Sequence, residues 1–205
     1  MAKPVGQCLA RCFSSPNDEP EAHRVSEYEG LLMGMRNYLI EGVSGSGKTS
    51  VCNKLQRRGY HAIHGDRELA YQGDPETGTP THGLKHEQSA VFTSEHHIWD
   101  VEKVKALVDN HDEAVTFFCG HSRNFSKFID LFDGVFVFEV DLGTLNRRID
   151  VRVARDPTDW GAKPTERELI ARLHATNEAI PKAGVVIDAT VPIGRVVDEI
   201  LRKCV

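Results

Sequence analysis

The stretch that decides the fold lies at residues 42–50 and reads Gly42-Val43-Ser44-Gly45-Ser46-Gly47-Lys48-Thr49-Ser50. It fits the pattern G-x-x-x-x-G-K-[ST] between a short apolar run and a segment with helical spacing, which is the context that this motif requires. Glycines let backbone N–H groups turn toward a phosphate chain, and the amino end of the helix attracts an anion. We therefore predict a phosphate-binding loop, or P-loop, in which Lys48 reaches the β- and γ-phosphates of a nucleotide and Thr49 coordinates Mg²⁺.

Strands and helices alternate on both sides of the P-loop. Apolar runs predict five strands, at 37–41, 60–64, 114–119, 134–140 and 184–190. Amphipathic spacing predicts helices at 48–58, 100–110, 145–152 and 193–203. A capping box of Thr165 and Glu168 predicts the start of one more helix. This alternation indicates βαβ units and a parallel sheet covered on both faces. The predicted fold class is α/β, a three-layer α/β/α P-loop NTPase fold with a five-stranded parallel sheet.

The length of 205 residues suits a single domain. Residues 1–34 are predicted to be a disordered amino-terminal extension, because they are mainly polar, bear prolines and show no signal-peptide pattern. Residues 35–205 are predicted to be the folded domain. A truncated chain that starts at Met33 is therefore expected to fold.

Charge and composition limit the partners. The net charge of −5 argues against a broad nucleic-acid surface, which needs a basic stripe. No run approaches the roughly 20 apolar residues that span a bilayer. Five scattered cysteines suggest free thiols in a reducing compartment. We therefore expect a cytoplasmic monomer that binds small molecules and neither nucleic acid nor a membrane.

Two groups of residues invite comparison with metal-site patterns. Cys8 and Cys12 form a pair without a second pair at ligand spacing. Five histidines crowd the segment after the second strand, namely His64, His82, His86, His96 and His97. Neither group shows a clean ligand pattern, and exposed loop histidines are commoner than zinc sites. Mg²⁺ at Thr49 is thus the metal that we predict.

Two other classes of P-loop protein lack support in this sequence. A GTPase carries Asn-Lys-x-Asp after a later strand, whereas the nearest match, Asn53-Lys54-Leu55-Gln56, lacks the aspartate and lies in the first helix. A motor ATPase carries an apolar strand that ends in Asp-Glu, which the FVFEVD stretch at 136–141 imitates only loosely.

The segment after this strand resembles a different class. Residues 145–152 read LNRRIDVR, which is similar to the L-x-x-R-[IL]-x-x-R helix that leads into the lid of adenylate kinases. Arg172 on the next helix resembles the arginine on the far side of that lid, and VVIDATVP at 185–192 resembles the last strand and adenine loop. Over about residues 37–203 the chain resembles the P-loop small-molecule kinases of the adenylate kinase and shikimate kinase type.

This resemblance implies roles for the basic residues and the last loop. Arg148 would stack on the adenine face, since a guanidinium is planar and cationic. Arg152 and Arg172 would contact the transferring phosphoryl group of ATP. The border of the adenine would be formed, mostly through backbone, by Asp188, Ala189 and Thr190. The alternative is a solvated face in which these arginines pair with carboxylates such as Asp150 and Glu168.

The resemblance also implies an acceptor site. Asp66 follows the second strand, where the hydroxyl kinases have an aspartate that binds the acceptor hydroxyl and can take its proton. The alternative is that Asp66 is a helix N-cap. The stretch CGHSR at 119–123 looks like a degraded Asp-Gly-x-Pro-Arg of nucleotide kinases, in which Gly120 and Arg123 would hold an anionic acceptor. Cys119 replaces an aspartate near the magnesium shell, and Asp66 is the best substitute for that outer-shell carboxylate.

Two segments are predicted to surround the bound molecules. An acceptor-binding insert covers about 66–99, of which 72–95 shows no clear periodicity. In this insert Trp99 and Tyr71 either flank a flat substrate, or Trp99 anchors the helix that starts near Asp100. A short lid at about 153–164 is rich in polar residues and suits closure over ATP.

Three functions remain open at this point. An ATP-dependent kinase acting on a hydroxyl, such as that of a nucleoside or metabolite, is favoured by Asp66. A nucleoside monophosphate kinase with a phosphate acceptor is favoured by Arg123. A nucleotide-binding ATPase or regulator without acceptor is favoured by Cys119.

Overall fold

Residues 35–81 and 89–204 are the part of the chain that the computed structural model describes. The predicted amino-terminal extension at 1–34 lies outside the described residues, as do His82 and His86. The strands are β1 (Arg36–Glu41), β2 (His61–His64), β3 (Ala70–Gln72), β4 (His97–Trp99), β5 (Val115–Cys119), β6 (Gly134–Glu139) and β7 (Val185–Asp188). The helices are α1 (Lys48–Arg57), α2 (Gly65–Glu68), α3 (Ala90–Glu95), α4 (Val101–Val108), α5 (Leu142–Arg155), α6 (Pro164–Thr176) and α7 (Ile193–Lys203).

Five strands form one parallel sheet in the order β2-β5-β1-β6-β7, which confirms the predicted fold class. β1 is the central strand. β5 and then β2 extend the sheet on one side of it, and β6 and then β7 extend it on the other side. In β1, Ile40 pairs with Cys119 of β5, and Glu41 pairs with Val137 of β6. A ligand crevice is expected where the strand order reverses, at the carboxyl end of β1.

Both faces of β1 are buried, so the sheet is the middle of three layers. Leu39 packs on one face with the cluster that contains Trp99 and Val104. On the other face, Tyr38 and Ile40 pack with residues of α1 and α7. A strand buried on both faces reads as a continuous apolar run, because neighbouring side chains point to opposite faces.

The described residues of the predicted acceptor-binding insert contain more secondary structure than the sequence predicts. Within 72–95, which shows no periodicity, lie the end of β3 and the helix α3, and β3 pairs antiparallel with β4. Strands of three residues carry too few alternations to show a period.

Trp99 anchors this insert in the core and does not flank a flat substrate. Its side chain is fully buried and stacks on Phe128, with ring centroids 5.6 Å apart and planes 3° from parallel. A Cβ on Gly65 would lie 2.1 Å from the Trp99 ring, so glycine is required there for the ring to fit.

Two helix boundaries differ from the predicted ones. α5 continues to Arg155, so the irregular part of the lid is 156–163, shorter than the predicted 153–164. α6 begins at Pro164, and Oε2 of Glu166 accepts hydrogen bonds from the backbone N–H groups of Gly161 (2.8 Å) and Lys163 (3.2 Å). The predicted capping box of Thr165 and Glu168 is therefore wrong, because Pro164 is favourable as the first helical residue.

Candidate functional site

A cleft of about 1240 Å³ lies at the carboxyl end of the parallel sheet and is lined by P-loop residues 43–51. Its volume exceeds that of a site for one small ligand, which usually holds about 300–1,000 Å³. Six basic side chains line it, against three carboxylates. The basic residues are Lys48, Arg67, Arg147, Arg148, Arg152 and Arg155. The charge balance of the cleft therefore favours a polyanion, although the whole chain is acidic.

The P-loop has the backbone that its glycines predict. Gly45 and Gly47 adopt φ angles of +88° and +112°, which favour residues without a Cβ. A Cβ on Gly45 would also lie 3.1 Å from Ile149. Lys48 is buried, and its Nζ donates to the carbonyl oxygens of Gly42 (2.5 Å) and Val43 (3.1 Å). The ammonium group thus lies across the loop that a phosphate chain would occupy.

Arg148 connects the P-loop with the loop that follows β7. One guanidinium nitrogen donates to the carbonyl oxygen of Ser46 (2.7 Å) and another to that of Ala189 (2.6 Å). Burial lowers the pKa of Arg148, and Asp141 opposes that change. Both hydrogen bonds lie in the plane of the guanidinium group, so neither uses its flat face.

Of the three residues predicted to border the adenine, the cleft lining includes Ala189 only. Asp188 accepts hydrogen bonds from the backbone N–H (2.8 Å) and hydroxyl (2.5 Å) of Thr190, which lower the pKa of Asp188. These two residues hold the turn that presents the Ala189 backbone.

The two predicted phosphoryl contacts differ in position. Arg152 lies between the P-loop and the lid, where it donates to Ser44 Oγ (3.3 Å) and to the carbonyl oxygen of Trp160, and lies 3.6 Å from Asp159. Arg172 is not part of the cleft lining; it forms an ion pair with Glu178 at 3.2 Å. A role of Arg172 at the phosphoryl group stays a prediction that requires this exposed pair to open.

Asp66, in α2, lines the same cleft. Its Oδ1 accepts from the backbone N–H of His121 (2.8 Å) and lies 3.3 Å from Nε2 of His97. Burial raises the pKa of Asp66, but the His97 hydrogen bond, the Lys48 charge and the His121 N–H together lower it to about 2. Asp66 is therefore an ionised hydrogen-bond acceptor near neutral pH. It lies within the first turn of α2 and is not its N-cap, which is His64.

Gly120 and Arg123 are not part of the cleft lining, but they contact residues that are. A Cβ on Gly120 would lie 2.7 Å from Oδ1 of Asp66, so glycine allows this carboxylate its position. Arg123 donates to the carbonyl oxygen and the hydroxyl of Ser94, both at 3.0 Å, and burial lowers its pKa. Arg123 thus joins the segment after β5 to α3 through hydrogen bonds. Its contact with an anionic acceptor stays a prediction.

Comparison with known proteins decides the family. Residues 39–174 match the family model described as an AAA domain. The chain belongs to the AAA domain family. A search of curated proteins finds no sequence that matches it.

The fold of this AAA domain is shared with solved shikimate kinases. That from Acinetobacter baumannii, in complex with shikimate, is 16% identical with a TM-score of 0.54, and the match covers 85% of this chain and 95% of that one. That from Bacteroides thetaiotaomicron is 15% identical with a TM-score of 0.54, with coverage of 82% and 98%. A gluconokinase from Sinorhizobium meliloti 1021 is 20% identical with a TM-score of 0.47, with coverage of 83% and 91%. The predicted resemblance to this class of P-loop protein is confirmed for the fold.

The donor groups of the AAA domain suit Mg²⁺ carried by a nucleotide. Among residues 35–81 and 89–204, no three His, Cys, Asp or Glu side chains cluster as a metal site. Mg²⁺ is ordinarily held by one or two protein oxygens together with phosphates and water. The Thr49 hydroxyl would be the protein ligand, and the Asp66 carboxylate lines the same cleft. Cys119 contributes no carboxylate: it is buried beside Cys52, and burial raises its pKa.

The sequence interpretation gives no role to three charged or polar groups near this cleft. Glu41 is fully buried at the end of β1, His121 follows β5, and Arg67 lies next to Asp66. A signal existed for Glu41, because a carboxylate that ends an apolar run is unusual.

The described part of the chain contains no helix long and apolar enough to cross a membrane.

Proposed function

We propose that this AAA domain is an ATP-dependent kinase that transfers the γ-phosphoryl group of ATP to a hydroxyl group of a small molecule. The observation that carries the proposal is that the Asp66 carboxylate faces the same cleft as Lys48 and the P-loop. His97 and the backbone N–H of His121 stabilise the ionised form of Asp66. The ionised carboxylate can accept a hydrogen bond from a hydroxyl group. The volume of about 1240 Å³ suits a nucleotide together with a second small substrate.

The chain's own residues would act mainly by positioning and by charge. The P-loop N–H groups would hold the phosphates, and Lys48 would leave the carbonyl oxygens of Gly42 and Val43 to contact the γ-phosphate. Arg152, which already reaches Ser44, would stabilise the charge that develops on the transferring group. When bound, Mg²⁺ neutralises charge on the phosphates.

Asp66 would orient the acceptor hydroxyl. The hydroxyl oxygen forms a bond to the γ-phosphorus while the bond between that phosphorus and the ADP oxygen breaks. With a pKa of about 2, Asp66 is a weak base for a free alcohol. The proton therefore leaves late, when the oxygen is already bonded to phosphorus and is acidic, and passes by way of Asp66 to water.

A nucleoside monophosphate kinase is the second candidate, and Arg67 is the observation that favours it. Arg67 lines the cleft next to Asp66, and no hydrogen bond or ion pair joins its side chain to another described residue. Such a guanidinium suits an anionic acceptor. Arg123, by contrast, is already bonded to Ser94.

An ADP-release screen over nucleosides, nucleoside monophosphates, shikimate and sugar acids tests the proposal. Asp66→Asn and Arg67→Ala are compared in this screen, with Asp130→Asn as a matched control on an exposed aspartate. For a hydroxyl acceptor, Asp66→Asn should lower kcat by about 10²–10⁴-fold, and Arg67→Ala should be mild.

Reversed effects, with a nucleoside monophosphate as the phosphorylated compound, would establish the second candidate. ADP release without any phosphorylated acceptor would support the ATPase or regulator instead.

A further inference from the structure

Glu41 is a buried carboxylate that holds the imidazole of His121. Its side chain is 1% exposed. Oε2 accepts from the backbone N–H of Gly42 (3.0 Å) and lies 3.1 Å from Nδ1 of His121, while Oε1 accepts from the backbone N–H of Ser122 (3.3 Å). Because a buried charge requires such partners, His121 is part of the group that makes Glu41 tolerable at this position.

The contact with Glu41 fixes the chemistry of the His121 ring. A carboxylate only accepts hydrogen bonds, so Nδ1 of His121 carries the hydrogen atom. In the neutral ring, Nε2 then has a free lone pair and is a hydrogen-bond acceptor. His121 lines the cleft, and its backbone N–H bonds to Asp66 at 2.8 Å, so the residue is adjacent to the Asp66 carboxylate.

Nε2 of His121 has no hydrogen-bond partner among the described residues, although it is a buried atom. Buried polar atoms without partners are rare in folded proteins and are costly. A purely structural role in bracing Glu41 uses Nδ1 alone and leaves Nε2 unexplained. A bond formed in the substrate complex explains both nitrogens.

We propose that Nε2 of His121 accepts a hydrogen bond from a second hydroxyl of the acceptor, beside the hydroxyl that Asp66 orients. The inference rests on the proposed function and specifies its substrate class: a polyhydroxylated small molecule. Two neighbouring hydrogen-bond acceptors, Asp66 and His121, select a molecule that offers two donors. A phosphate monoester, whose second pKa is about 6, is mostly dianionic at neutral pH, and even its monoanion offers one donor and not two.

The test removes the same hydrogen bond from the enzyme and from the substrate. Polyol probes are paired with analogues that lack one hydroxyl: uridine with 2′-deoxyuridine and 3′-deoxyuridine, and D-gluconate with 2-deoxy-D-gluconate. His121→Asn keeps an amide nitrogen near Nδ1 for Glu41 but lacks the Nε2 position. His121→Gln places an amide near the Nε2 position and serves as the rescue variant. The measured quantity is kcat/KM for each probe in the full-length chain.

In the wild type, loss of the critical hydroxyl should lower kcat/KM by about 10–100-fold. In His121→Asn this penalty should fall below about 3-fold, because the hydroxyl has already lost its partner. In His121→Gln the penalty should lie between its values in the wild type and in His121→Asn. If His121→Asn does not fold, the double variant Glu41→Gln/His121→Phe, which leaves no unpaired charge buried beside the ring, carries the same comparison.

An undiminished penalty in the folded variant would overturn this inference and leave the proposed function intact. Phosphorylation of nucleoside monophosphates, and of no free hydroxyl compound, would overturn both.

Discussion

Arg148 on α5 donates a hydrogen bond to the carbonyl oxygen of Ser46 in the P-loop at 2.7 Å. Its second bond, to Ala189 at 2.6 Å, joins the same guanidinium to the loop after β7. These loops are far apart in sequence, and a single planar cation holds them together. In the proposed function the nucleotide would lie between them, so Arg148 would set the distance from its phosphates to its base.

Arg148→Lys is expected to weaken ATP binding by about 10-fold, because an ammonium group cannot donate in two fixed directions and has no flat face. The dissociation constant measured by isothermal titration calorimetry checks this. Arg167→Lys is the matched control, since Arg167 pairs with Asp150 outside the cleft. Equal affinity in Arg148→Lys and the control would contradict the bridging role.

Lys48→Met is expected to abolish phosphoryl transfer while the protein stays folded. The structure buries Lys48, with 6% of the residue exposed. Methionine is therefore a better test than alanine, because it fills most of the same volume without the charge. Activity assays beside circular dichroism measure the two properties. Wild-type turnover in a folded Lys48→Met protein would refute the assignment of Lys48.

The fold was predictable because its main strands are buried on both faces and the P-loop has a specific pattern. Tyr38–Ile40 in β1 and Phe117–Cys119 in β5 are uninterrupted apolar stretches for that reason. The three-residue strands Ala70–Gln72 and His97–Trp99 are too short to produce any pattern. Pro164 shifts the start of α6 because its fixed φ suits the first helical position.

The candidate site was predictable where a motif names its residues, and less so where the fold brings distant residues together. Lys48 and Thr49 belong to a local pattern. Glu41 and His121 are 80 residues apart, and they meet because Ile40 pairs with Cys119 in the sheet. Strand register of this kind cannot be read from one sequence without knowing which strands are neighbours.

ATP is expected to raise the melting temperature more than GTP does at equal concentration. The carboxylates of the cleft lining are Asp66 in α2, and Asp156 and Asp159 between α5 and α6. At the loop after β7, the Asp188 carboxylate lies outside the lining and accepts hydrogen bonds from Thr190, so no carboxylate of the lining is placed there for guanine. Thermal shifts report the difference through binding linkage. Equal or reversed shifts would contradict an adenine site between Arg148 and Ala189.

Asp66→Asn is also expected to change the acid stability of the protein in a defined direction. The pKa of Asp66 is lowered from 3.8 to about 2 in the folded state, so its ionised form stabilises the fold above about pH 4. That contribution is lost as the pH falls from about 4 to about 2. The side chain is 40% exposed, so solvent screening keeps the effect modest.

The difference in unfolding free energy between the wild type and Asp66→Asn should therefore be constant from pH 5 to about pH 4 and shrink below it. Histidines titrate mainly above pH 5, so the comparison begins there. Other carboxylates with lowered pKa values, such as Asp141 and Asp188, are present in both proteins and cancel in the difference. Urea unfolding at pH 5, 4 and 3 measures it. The same difference at pH 3 as at pH 5 would show that the hydrogen bonds to Asp66 do not stabilise its ionised form in solution.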